Sequence, residues 1–184
     1  RNHGLLGFSL HPNFRINGYV YLWYVVDRHH LTHCVEALTG AGRPVCDTAY
    51  RPSTNEYFDA TIGRITRYTA VKPQGDPDYS NSVVVDYNSR KVLLGEPIGT
   101  GCPILFTSHG VGSILFGHDG TLIASCGDGA SHTSADIGGA AETYYQTALN
   151  DGIIRAKENV GAYRAQLPDS LSGKLLRIDA TSGD

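Results

Sequence analysis

Charge of either sign is in short supply: 15 Lys and Arg against 18 Asp and Glu in 184 residues leave a formal net charge of −3. No basic tract stands out, which removes the electrostatic footprint that a nucleic acid or an anionic membrane surface would need as partner. The longest uninterrupted apolar run, Tyr19–Val26, is far short of the roughly 20 residues of a bilayer-spanning helix, so no membrane span is expected. The chain opens on Arg1-Asn2-His3-Gly4 without a charged n-region, apolar core and cleavage site. Any export signal is therefore expected to have been removed or never to have been part of this piece. Four cysteines, Cys34, Cys46, Cys102 and Cys126, contain no Cys-x-x-Cys pair, which argues against a structural zinc site and a redox dithiol. Asp76, Asp78 and Asp86 lack the register of a calcium loop and read as solvated turn residues.

What is present favours an all-β protein. Twenty-two glycines, eight prolines and eleven tyrosines accompany β-branched and aromatic runs, and 41% of the residues are hydrophobic, enough for one globular core. Gly4–Leu10 and Tyr19–Val26 read as strands joined by turn material at His11-Pro12-Asn13 and Asn17-Gly18. Trp23 reads as strand core, with a sugar-stacking platform as the alternative. The stretch from Arg28 to about Ala60 loses periodicity and reads as a long inserted loop. Its His29, His30 and His33 suggest a metal cluster beside Cys34, but adjacent histidines on an extended chain would point apart. Ile62–Thr69 is a third strand, and Val83–Asp86 and Lys91–Leu94 are two more with Asn88-Ser89 as the turn between them. A second insertion, Ser131 to about Pro168, holds the best helix candidate, Ala140–Leu149, and Leu171–Asp179 is a final strand. Cys34 and Cys46 bracket a loop with little else to hold it, which pairs them with each other and Cys102 with Cys126. Four cysteines permit three connectivities, and four buried free thiols is the other reading. Disulfides would imply an oxidising compartment, extracellular or periplasmic.

The stretch that organises the rest is Ser108–Gly129. Ser113–Phe116 and Thr121–Ser125 flank Gly117-His118-Asp119-Gly120, and Asp-Gly between β-prone runs is a strong hairpin signal. The hairpin brings His109, just before its first strand, to the same end as Asp128, just after its second. A carboxylate that fixes the tautomer of an imidazole and stabilises its protonated form is the usual construction of a general base. The plainer alternative is a turn histidine and a strand-end aspartate tying down loops. Strand, turn, strand, long insertion, strand occurs twice, with Gly63–Tyr68 answering Gly173–Ile178. The repeat suggests β-propeller blades, one at about 4–97 and one at about 109–184, with insertions gathered on one face. Propellers need about four to eight blades, so the chain reads as part of a single larger propeller domain.

Gly4-Leu5-Leu6-Gly7-Phe8-Ser9-Leu10-His11-Pro12-Asn13-Phe14, Gly63–Tyr68, His109–Gly120, Gly127-Asp128-Gly129 and Ser172–Asp179 together resemble the soluble glucose/sorbosone dehydrogenase family. The resemblance implies a six-bladed propeller that oxidises a small-molecule sugar with pyrroloquinoline quinone (PQQ) and calcium. By that resemblance His109 would take the sugar C1 hydroxyl proton while hydride passes to the quinone, and Asp128 would orient it. Asn2 stands where the family has a quinone-contacting glutamine, Ser108 where it has aspartate, and Thr133 near another quinone-contacting glutamine. Arg164 is a surface arginine or one that reaches a quinone or sugar acid. The family's calcium and most quinone contacts come from later blades, including an Arg-Asn-Pro run absent here, so this piece alone should not hold the cofactor and would need the remaining blades as partners. These departures also suit a second reading, a non-catalytic extracellular propeller that binds or builds.

Overall fold

The structure is a computed structural model that describes residues 3–35, 44–54, 56 and 58–184. It is all-β, with few and short helices. In chain order the strands are β1 Leu5–Leu10, β2 Tyr19–Val25, β3 Cys34–Val35, β4 Val45–Cys46, β5 Thr61–Ala70, β6 Val85–Leu94, β7 Cys102–Ile104, β8 Val111–Phe116, β9 Leu122–Cys126 and β10 Lys174–Ile178. Three short α-helices, α1 Phe14–Asn17, α2 Arg28–His33 and α3 Tyr145–Asn150, lie in the connections. The first sheet runs β1-β2-β5-β6 with β7 also paired to β5; the second is the meander β8-β9-β10, and β3-β4 form a separate ribbon. Every pairing is antiparallel.

The core lies between the first two sheets, because alternate residues of β2 point the same way. Tyr21, Trp23 and Val25 pack with Ile65 against Val111, Ile114, Leu122 and Ala124 of the second sheet. Trp23 is fully buried, and its Nε1 donates to the Ser125 carbonyl at 2.9 Å, so a chain neighbour 102 positions away satisfies its only polar atom. Tyr21 donates its hydroxyl to the Ala180 carbonyl at 3.0 Å, and burial pushes its phenol up to about 12. Trp23 is thus core, as its strand position implies. The sheets come close because glycines line the seam: a Cβ on Gly63 would collide with Val111 and with the indole of Trp23, and one on Gly7 with the Gly112 carbonyl and Ile114.

Both disulfides form as the loop argument pairs them, Cys34 with Cys46 and Cys102 with Cys126. The first clasps the β3-β4 ribbon; the second ties β7 of the first sheet to β9 of the second. Among the described residues no helix is long and apolar enough to cross a membrane.

Several local expectations need correction. The proposed turn at Asn88-Ser89 does not reverse the chain: β6 keeps its direction, with residues 87–90 bulging out of the pairing with β5. Asp86 accepts from Asn88 N at 2.9 Å and Ser89 Oγ receives Thr69 N at 2.7 Å, so the polar residues absorb a register shift against β5 between Arg67 and Thr69. The Arg28–Ala60 loop is not featureless. Asp27 caps α2 by accepting from His29 N at 3.0 Å and His30 N at 3.3 Å, which puts the three histidines on a helix rather than an extended chain. The helix expected over Ala140–Leu149 is only Tyr145–Asn150, because Thr143 closes a turn on the Ala140 carbonyl and Tyr144 N is spent on Leu105 O at 2.9 Å. Two 3-10 segments, Ala156–Glu158 and Gly161–Gln166, follow it in that insertion. The architecture is two packed antiparallel meanders, and a closed ring of blades is not seen.

Candidate functional site: a histidine and carboxylate at one end of the β8-β9 hairpin

The β8-β9 hairpin closes through Gly117–Thr121, where Asp119 accepts from Thr121 N at 3.1 Å and Gly120 takes φ +81°. At its other end Gly127 N donates to Gly110 O at 2.6 Å and Gly129 N to His109 O at 2.9 Å. These bonds hold His109 at φ +55°, the one non-glycine in the left-handed region among the described residues. An imidazole-bearing residue there costs of order 1 kcal/mol or more and persists only where its surroundings over-determine it. Gly127 makes the arrangement possible, since any Cβ there would run into the His109 and Gly110 carbonyls.

In this conformation His109 Nδ1 lies 3.1 Å from Asp128 Oδ1. Asp128 Oδ1 also receives Ala130 N at 3.0 Å, an Asx turn that reverses the chain after β9. The carboxylate accepts only, so Nδ1 carries the proton and Nε2 keeps its lone pair. His109 is 44% and Asp128 26% exposed at the side chain, so Nε2 is accessible to a ligand. Beyond the acceptor itself, this pair provides a counter-charge for the imidazolium formed on proton uptake.

The remaining site residues named from the sequence scatter. Ser108 adjoins the pair, but its Oγ is bonded to His132 Nδ1 at 2.8 Å. Thr133 turns away into the insertion: its Oγ1 lies 2.9 Å from Ser131 Oγ and 3.4 Å from Glu142 Oε1. The Ser134 hydroxyl on that same carboxylate, followed by further hydrogen bonds, holds Glu142 below the usual range. Arg164, read as a surface residue or one reaching for ligand, is neither. It is 1% exposed and donates to the carbonyls of Glu158 and Asp128, each at 3.1 Å. Burial lowers its pKa against the opposing pull of Asp136, Asp128 and Glu158. Its work is to pin the insertion under Asp128. Asn2 lies outside the described residues. Ser108, Thr133 and Arg164 thus form no common cradle and do not fit a quinone.

Sequence reasoning missed His132, whose ring centroid is 6.0 Å from that of His109. Its only signal was Asp128-Gly129, an Asx-turn pair that folds the following residues back over the hairpin end. It also missed Asp136, buried, which accepts from Ser131 N and Gly138 N, each at 3.1 Å, and organises the same loop. At the other insertion, one ligand atom of His30 and the sulfurs of Cys34 and Cys46 lie within 4.8 Å of one another. With the sulfurs joined to each other they are no thiolate pair.

Comparison with known proteins corrects the family resemblance. No protein-family model matches the chain. It is 27% identical over 177 residues to the HIPL1 protein of Arabidopsis thaliana, a match covering 96% of this chain and 21% of that relative. The chain thus spans about a fifth of the relative's length, and nothing in the match points to a PQQ-dependent dehydrogenase. The physical reason is visible in the fold. Gly7 packs under Gly112 and Ile114, His118-Asp119-Gly120 closes a hairpin, and Gly127-Asp128-Gly129 clears the His109 carbonyl. The motifs encode close sheet packing and tight turns, which many chemistries share.

Proposed function

We propose that this chain is part of an extracellular or periplasmic β-propeller in which the His109–Asp128 pair accepts a proton from a hydroxyl of a small sugar-class ligand. The observation that carries the reading is the 3.1 Å contact between Nδ1 and the carboxylate at a histidine held at φ +55°. Strain of this kind clusters where a side chain must be aimed. The proton passes from the ligand hydroxyl to Nε2 in the transition state, as negative charge develops on the ligand oxygen, and the imidazolium so formed is balanced by Asp128. The propeller reading is supported by two outer faces that the packed pair of sheets leaves uncovered. Phe8 and Leu10 stand out from the first sheet beside a trough of about 580 Å³ lined also by Val20 and Val84, and Leu115 and Leu175 stand out from the second. Further sheets of the same protein would cover both. The two disulfides suit an oxidising compartment.

The test is made on the complete protein. Sugars are screened for binding and turnover, and His109→Ala is compared with wild type. A general base removed in this way lowers the rate by roughly 10²–10⁴ while binding persists. Turnover that His109→Ala leaves unchanged contradicts the reading, and sugar binding without turnover makes the protein a binding module.

A further inference from the structure

We propose that His132 is a second ligand-contacting group, and that with His109 it selects ligands carrying two hydroxyls on adjacent carbons. The proposal rests on the reading of His109 as proton acceptor. Asp128 Oδ1 fixes both histidines at once: it anchors His109 Nδ1 at 3.1 Å, and by accepting Ala130 N at 3.0 Å it turns the chain so that His132 returns to the hairpin end. There Ser108 Oγ meets His132 Nδ1 at 2.8 Å, and the edge of Phe106 closes on the ring at a centroid distance of 5.4 Å. Each imidazole thus has its Nδ1 engaged, with the ring centroids 6.0 Å apart and both side chains exposed.

The two anchors differ in a way that matters. A carboxylate can only accept, so His109 presents Nε2 as an acceptor; the Ser108 hydroxyl both donates and accepts, and when it donates to Nδ1, as the proposal requires, His132 presents Nε2–H as a donor. With the ring centroids 6.0 Å apart, an acceptor and a donor match a diol, in which one hydroxyl donates a hydrogen bond to His109 Nε2 and the neighbouring oxygen accepts one from His132 Nε2–H. An anionic ligand fits less well. Asp128 and Glu142 lie on this side, and the guanidinium of Arg164 is turned inward onto two carbonyls.

The experiment follows the imidazole ¹H–¹⁵N resonances of the full chain while 1,2-cyclohexanediol or 1,3-cyclohexanediol is added; the two differ only in hydroxyl spacing. Wild type is expected to show both rings perturbed and to bind the 1,2-isomer roughly three- to tenfold more tightly, the worth of one hydrogen bond. His132→Ala should abolish that ratio while the His109 signal still responds, and His132→Gln, which keeps a donor, should restore part of it. Equal affinity for the isomers, or a ratio that survives His132→Ala, overturns the role of His132 and leaves that of His109 standing. If neither diol moves the His109 resonances, the proton-acceptor reading fails and takes this proposal with it.

Discussion

A single backbone angle carries much of the chemistry at the residue scale. His109 sits at φ +55° because Gly127 offers no Cβ to obstruct its carbonyl. Gly127→Ala should therefore cost about 1–3 kcal/mol in denaturant unfolding and shift the His109 ring signals, whereas Gly120→Ala, in open space at the far turn, should leave those signals in place. A second residue sets behaviour in acid. Hydrogen bonds from Ser80, then the Arg15 guanidinium, hold the Asp78 carboxyl at about 2, against an ordinary 3.8. A carboxyl depressed on folding stabilises above its unfolded value, and that contribution is lost as pH falls through the folded one. Asp78→Asn should then be less stable than wild type at neutral pH, and the gap in urea midpoint should close between pH 3.8 and about 2. A gap that persists at the acid end would place the effect elsewhere.

Elements show why some of the fold was legible and some was not. The Asp-Gly signal at Asp119-Gly120, the apolar run of β2 and the alternation of β5 are local, so β1, β2, β5, β8, β9 and β10 could be read directly. The meeting of His109 and Asp128 followed from hairpin geometry alone. The unbroken β6 was not legible, because Asn88 and Ser89 carry turn chemistry that only pairing with Thr69 turns into a bulge. Arg164 was misread because burial of an arginine depends on two carbonyls far apart in the chain. The α2 helix did have a signal, Asp27 ahead of Arg28–His33, which the loop composition outweighed. Asp27→Ala should cost about 1 kcal/mol of stability, as loss of an N-cap usually does. Measured unfolding free energies equal to wild type would show that the Cys34–Cys46 clasp holds the segment without it.

For the whole molecule, the question is what holds two meanders together. Their shared core is apolar, and Cys102–Cys126 is the covalent tie between them, with both residues buried. Replacing both by alanine should lower stability by about 2–4 kcal/mol, read as a fall in the chemical midpoint, while the far-ultraviolet spectrum keeps its β character. Replacing Cys34 and Cys46 should disturb only the ribbon that they clasp. Phe8 and Leu175 leave apolar side chains exposed on the outer faces of the two sheets, and in the propeller proposed above further sheets would cover them.

The central claim is tested most directly by the tautomer of His109, read from long-range ¹H–¹⁵N correlations at about pH 8, above the ordinary imidazole range. Pairing with Asp128 predicts a proton on Nδ1 and a bare Nε2 in wild type, shifting toward the Nε2–H form in Asp128→Ala. A wild-type ring already protonated on Nε2, and indifferent to the loss of Asp128, would contradict the pairing and with it the assignment of His109 as a proton acceptor.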